Sequence, residues 1–210
     1  MSMRILILGA GATGGYFGAL LAKAGVDVTF LVRPTRRGQL QRDGLAIKSH
    51  LGDVTTPVKA ITRDEISGTY DAIVLSSKAY GLADAVETIR PAVGDKTLIL
   101  PLLNGMRHLD DLDRAFGAEH VLGGTCHISV VLDADGTIRH LSPFASLTQG
   151  PRTAAQREGA TRLQQELERG GFEARFSSDV IGTMWEKWFF LATLAASTCL
   201  MRASVGEIVR

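Results

Sequence analysis

Residues 3–34 read MRILILGAGATGGYFGALLAKAGVDVTFLVRP. The apolar run 3–8 closes on glycine and reads as a buried parallel strand. Residues 13–24 carry a helical pattern stopped by Gly25, and 26–32 form a second apolar strand. Between them Gly9, Gly11 and Gly14 spell G-x-G-x-x-G. That pattern is weak alone. Placed after a strand, opening a helix and inside a βαβ unit, it reads as a dinucleotide turn in preference to a plain strand–helix connection. Gly9 permits the tight turn, Gly11 lets a pyrophosphate approach the backbone, and Gly14 lets helix and strand pack closely. The stretch Gly9, Ala10, Gly11, Ala12, Thr13, Gly14 thus presents a helix N-terminus whose N–H groups and partial positive charge suit phosphate.

The second strand ends in FLVRP, and no acid follows until Asp43. An acid near this strand end bonds the ribose hydroxyls of NAD, whereas an arginine accommodates the 2′-phosphate of NADP. Arg33 takes that position, with Arg36 and Arg37 close behind. A guanidinium can grip phosphate through two parallel hydrogen bonds and stack on adenine. The expected cofactor is therefore NADP(H). The competing reading is three solvated arginines at a helix start.

Working outward, the 210 residues suit one large domain, or one domain with part of another. Apolar residues make up 45% and charged residues 21%, with a formal net charge of +1. This is a globular composition with no electrostatic reason to expect nucleic acid or an anionic membrane. The stretch MWEKWFFLATLAASTCLM holds two charges and is too short and polar for a membrane span. The N-terminal apolar run is too short for a signal peptide. Cys126 and Cys199 form no CxxC pair, so a reducing cytoplasm is expected and both read as buried apolar filler. The five histidines lack metal-ligand spacing; no metal site is expected.

Further strands are expected at 72–76, 97–100, 145–148 and 172–176, with helices at 35–43, 82–89, 109–116 and 154–169. Residues 45–48 and 55–60 read as a hairpin across SHLGD, and 125–132 with 137–141 as another across DADG. In the latter, His127 and His140 are placed to face each other as structural residues. Ser178 or Asp179 caps a long helix to about residue 201. The pattern is α/β, a Rossmann-type doubly wound, mostly parallel sheet, followed by the start of an all-helical second domain. The division falls at 1–177 and 178–210. One helix cannot bury its own apolar face, so more chain or a second copy, in a homodimer through this helix, is expected to cover it.

Ligands of open α/β sheets sit at the carboxyl ends of strands. Lys78 and Asn104 stand at two such ends. Lys78 is either a surface lysine or a partner for a cofactor phosphate or substrate carboxylate. Asn104 is either an Asn-Gly turn residue or an amide that orients nicotinamide or substrate. Lys187 lies on an apolar flank of the long helix with Phe190, Leu191, Leu194 and Thr198. It either snorkels to water, or desolvation lowers its pKa into the range of a general acid.

Taken in order, ILILGAGATGGYFGALLAKAGVDVTFLVR, DGLAI, GDVTTPV, DAIVLSSKAY, LLNGM, GGTCHISVVLDADGTIRH and MWEKWFFLATLAASTCL resemble the ketopantoate reductase family over nearly the whole chain. The resemblance implies a Rossmann domain followed by a helical domain, with the active site in the cleft between. It implies NADPH-dependent reduction of a small 2-keto acid in pantothenate biosynthesis. Lys187 matches the family's proton donor, Asn104 an asparagine near nicotinamide and substrate, and Arg33 and Lys78 its NADP-phosphate contacts. Two features depart from it. Family asparagines one and two turns beyond the lysine are Leu191 and Ala195 here, while Thr198 agrees. Most of the helical domain has no counterpart in these residues, so cofactor binding is expected to be better preserved than turnover. The alternatives are a non-catalytic NADP-binding module and another NADP-dependent 2-hydroxyacid dehydrogenase.

Overall fold

The structure, a computed structural model, describes residues 2–210. It opens with β1 (Ile5–Leu8), α1 (Ala12–Lys23), β2 (Val28–Leu31) and α2 (Pro34–Asp43). Then come β3 (Leu45–Lys48), β4 (Val54–Thr56), β5 (Lys59–Ile61), β6 (Ala72–Leu75), α3 (Leu82–Ile89), β7 (Leu98–Pro101) and α4 (Arg107–Phe116). Next are β8 (Gly123–His127), β9 (Val130–Leu132), β10 (Ile138–His140), β11 (Ser146–Gly150), α5 (Arg157–Glu168) and β12 (Glu173–Phe176). Only helices follow: α6 (Val180–Met201) and the short α7 (Val205–Ile208).

The main sheet has the order β5-β2-β1-β6-β7, with every pair parallel. The chain builds outward from β1 on one side and then crosses to β6 on the other. The sequence therefore reverses direction between β1 and β6, which opens a crevice at their carboxyl ends. Alternate side chains feed two cores. Ile5 and Ile7 pack on the face carrying α1 and α5, and Leu6 packs with Leu82, Ile89 and Leu112 of α3 and α4. This is the expected Rossmann-type α/β architecture with helices on both faces.

Two smaller sheets complete it. β12-β11-β8 extends the main sheet through a parallel bridge from Ile99 to Val121. β4-β3-β10-β9 covers the outer side of α1. α1 is thus sandwiched, which explains its run of small residues. A Cβ on Gly18 would press on Ile7 and lie 2.5 Å from Phe30 of the main sheet, and one on Gly15 would lie 2.5 Å from Ile138 of the small sheet.

Two expected hairpins are rearranged. Residues 55–60 are not one strand: β4 pairs antiparallel with β3, whereas β5 leaves to join β2 in the main sheet. Pro57 sits at the break, where it offers no N–H to a ladder. Residues 125–132 are likewise two strands in two sheets, β8 paired with β11 and β9 with β10. The chain turns at Ser129, whose N–H bonds the Ser142 hydroxyl. His127 and His140 consequently lie in different sheets and do not face each other. Cys126 is buried as expected, but Cys199 is exposed on α6.

α6 starts as read from the sequence: the Asp179 carboxylate caps it by accepting the Gly182 N–H at 3.0 Å. Glycines let it approach the sheet, since a Cβ on Gly123 or Gly150 would collide with Val180 or the Ser177 carbonyl. Val180 and Met184 are buried, whereas Trp185, Phe189, Phe190 and Leu200 are exposed. No helix among the described residues is long and apolar enough to cross a membrane.

Candidate active site

The glycine turn has the geometry its residues suggested. Gly9 adopts φ +84°, open to glycine but strained for other residues. Nothing lies within 4 Å of where a Cβ on Gly9 or Gly11 would stand, so the space above the turn is free for a ligand. A Cβ on Gly14 would overlap the Ser76 hydroxyl and crowd Ile7, so the third glycine serves the contact of helix with β1 and β6. Gly11 is the N-cap of α1 with no side-chain cap, and no acid stands in the first turn. The N–H groups of Ala12, Thr13 and Gly14 form the open first turn beside buried Ala10.

The three arginines after β2 separate into distinct roles. Arg36 donates to the Ala10 carbonyl at 3.2 Å and the Gly136 carbonyl at 3.1 Å, tying the glycine turn to the β9–β10 hairpin. Arg37 pairs with Glu65 at 2.7 Å. Arg33, N-cap of α2, is exposed and has no hydrogen-bond or ion-pair partner among the described residues.

Across the crevice, β6 runs into Ser76, Ser77 and Lys78. Lys78 is exposed at the N-cap of a 3₁₀ turn. The Ser77 hydroxyl is buried with no partner among the described residues. Such a group costs about 1–3 kcal/mol unless a ligand completes it. Ser77 escaped the sequence reading because an orphaned hydroxyl is visible only after folding.

Beyond β7, Asn104 is exposed and Gly105 adopts φ +85°. Trp188 of α6 packs there, its ring carbons 3.8 Å from where a Cβ on Gly105 would sit. One residue earlier, the Lys187 Nζ donates to the Cys126 carbonyl of β8 at 2.6 Å. The bond fixes the side chain and leaves two of its three N–H groups free. Lys187 therefore does not snorkel. Burial lowers its pKa from the ordinary 10.5, opposed in part by the neighbouring Cys126 thiol. Burial, then the Lys187 and Arg175 cations, lower the His127 pKa. The Cys126 carbonyl was also invisible in the sequence, although Gly123–Gly124 marks the close passage of β8 beside Leu100 and Pro101.

The fold thus gathers Gly9–Gly14, Arg33, Ser77, Lys78 and Asn104 along the carboxyl ends of β1, β2, β6 and β7, and α6 sets Trp188, the residue after Lys187, against Gly105. The residues fit a dinucleotide: open space over two glycines, a bare helix N-terminus, an orphaned hydroxyl and an uncommitted guanidinium.

Known proteins bear on this arrangement. Residues 5–153 match the family described as ketopantoate reductase PanE/ApbA. An uncharacterized oxidoreductase of Bacillus subtilis is 36% identical over 207 residues, covering 99% of this chain and 68% of the relative. A 2-dehydropantoate 2-reductase of Mesorhizobium japonicum is 30% identical over 228 residues, covering 99% of this chain and 70% of the relative. The crystal structure of a 2-dehydropantoate 2-reductase from Porphyromonas gingivalis superposes with a TM-score of 0.91 at 26% identity, covering 100% of this chain and 76% of that one.

Proposed function

Because the chain belongs to the ketopantoate reductase family, we propose that it reduces a small 2-keto acid, 2-dehydropantoate or a close analogue, with NADPH. The observation that carries this reading is that the Cys126 carbonyl fixes Lys187 at 2.6 Å on the helix whose next residue, Trp188, packs against Gly105 after β7. Gly9, Ala10, Gly11, Ala12, Thr13 and Gly14 would hold the pyrophosphate, and Ser77 would give its orphaned hydroxyl to the same ligand. Arg33 would grip the 2′-phosphate, with Lys78 as a second cation across the crevice. Asn104 would orient nicotinamide and substrate through its amide.

When bound, NADPH supplies the hydride that reduces the carbonyl carbon. Lys187 holds the proton that the carbonyl oxygen takes up. Its lowered pKa makes that proton easier to release than that of an exposed lysine, and the Cys126 carbonyl keeps it aimed. We assign residues 1–177 to the cofactor domain and 178–210 to the opening of a helical one. That division is supported by the confinement of every strand to the first part.

A second reading, a nucleotide-binding module without turnover, is favoured by Leu191 and Ala195, which put no hydrogen-bonding side chain one and two turns past Lys187. Calorimetric titration with NADPH and NADH, followed by NADPH oxidation assays over a panel of 2-keto acids, separates the two. The reductase reading expects tighter NADPH binding and oxidation that depends on the keto acid. Binding without oxidation selects the module, and absence of NADPH binding refutes both.

A further inference from the structure

A cavity of about 640 Å³ opens at the end of α1 opposite the glycine turn. α1 has 12 residues, about 18 Å in length, and the cavity follows it from Tyr16 to its end. The volume falls within the range of about 300–1,000 Å³ usual for small-molecule sites. The last turns of α1, the β3–β4 turn, the bend before β11 and the turn before β12 wall it. Two wall residues from different segments are large, apolar and exposed: Leu51 at 64% and Phe144 at 54%. Exposed apolar groups gathered round a concavity mark a binding surface.

The charges around it are committed, with one exception. Asp53 accepts from the Lys48 Nζ at 2.7 Å and the Ser49 N–H at 3.1 Å. Glu173 pairs with Arg175 at 2.6 Å. Arg169 pairs with Glu166 at 2.6 Å and donates to the Ala24 and Gly25 carbonyls. Lys23 lines the cavity with no ion-pair or hydrogen-bond partner among the described residues.

The floor is a hydrogen-bonded polar cluster. His140 Nε2 lies 3.1 Å from both the Phe144 carbonyl and the Ser142 hydroxyl, and its Nδ1 lies 2.9 Å from Ser49 Oγ. The Tyr16 hydroxyl stands 3.5 Å from the same Nδ1 and also bonds the Ser49 side chain. Tyr16, Leu20 and Lys23 fall at i, i+4 and i+7, one stripe of α1, which presents a hydroxyl, an apolar surface and a cation in turn.

We propose that this cavity is a second small-molecule site, for a carboxylate with an apolar body. Lys23 binds the carboxylate, and the walls formed by Leu20, Leu51, Phe144 and Phe172 enclose the body. A suitable probe is 3-phenylpropanoate, with its uncharged amide as control. In an amide ¹H–¹⁵N NMR titration of the whole chain, the probe produces saturable shifts in residues 20–24, 49–53, 143–145 and 170–173. The dissociation constant rises at least fivefold for the amide and for Lys23→Gln, and Lys23→Arg restores it. The proposal is overturned if no saturable shifts occur, if they fall only around residues 9–14 and 187, or if Lys23→Gln binds as tightly as wild type.

Discussion

Arg33 stands apart from its neighbours because each of them already has a partner. Arg36 is occupied by two backbone carbonyls and Arg37 by Glu65. A phosphate at the end of β2 would meet one uncommitted guanidinium. Arg33→Asp should therefore weaken NADPH about 10- to 100-fold while leaving NADH nearly unchanged, the loss expected from one charge-assisted contact. Calorimetric titration of both cofactors reads this directly, and equal losses would remove the phosphate role. At Lys187 the sign follows from protonation. In the proposed mechanism the ammonium is the acid, so turnover should fall as pH rises through its pKa, and burial places that limb below the ordinary 10.5. A pH–rate profile checks it; a flat alkaline side, with turnover already limited by chemistry, would assign the proton elsewhere. The placement of the glycine turn after β1, of Arg33 at the end of β2 and of Lys187 on α6 was legible in the sequence because residue type and local spacing set it. Ser77 and the Cys126 carbonyl were not. An orphaned hydroxyl is defined by what surrounds it, and a backbone carbonyl carries no residue identity.

At the scale of elements, α1 joins the glycine turn to both of its covering sheets. Its small residues include Gly14 for β1 and β6, Gly18 for Ile7 and Phe30, and Gly15 for Ile138. Gly18 lies about one turn beyond Gly14, the last of the predicted phosphate contacts, and faces the core against Ile7 and Phe30. Gly18→Ala should therefore destabilise without altering cofactor contacts. Overpacking of this kind costs about 1–3 kcal/mol, or about 2–4 °C in Tm for each kcal/mol in a chain of this size. Thermal and urea unfolding measure it, and an unchanged midpoint would mean that the sheet yields freely there. The βαβ unit and the capped start of α6 were legible because strand, turn and cap signals are local. The rearranged hairpins were not. Apolar runs at 55–60 and 125–132 look continuous, but the choice of partner sheet belongs to tertiary packing, and only Pro57 hinted at a break.

For the molecule as a whole, one buried histidine ties stability to pH. His108 on α4 is 5% exposed, its Nε2 has no partner among the described residues, and burial with the nearby Arg152 cation depresses its pKa to about 4. The unfolded chain protonates this histidine near 6.5, so acid favours the unfolded state. The stabilising contribution is intact above about pH 6.5 and is lost as pH falls towards 4, with a loss of about 2 kcal/mol by pH 5. Urea unfolding at pH 7 and pH 5 should show that loss, and His108→Gln should flatten much of it. An equally steep acid limb in the variant would place the titrating group elsewhere.

The reductase reading depends on the glycine turn and Lys187 serving one site. Its most direct test is NADPH oxidation with 2-dehydropantoate and related 2-keto acids, comparing wild type with Lys187→Ala. The account predicts oxidation by the wild type, with NADPH affinity retained but turnover lowered about 10²- to 10⁴-fold in Lys187→Ala, the usual worth of a positioned general acid. Wild type that binds NADPH but reduces no 2-keto acid, or a Lys187→Ala variant that turns over as fast as wild type, would contradict it.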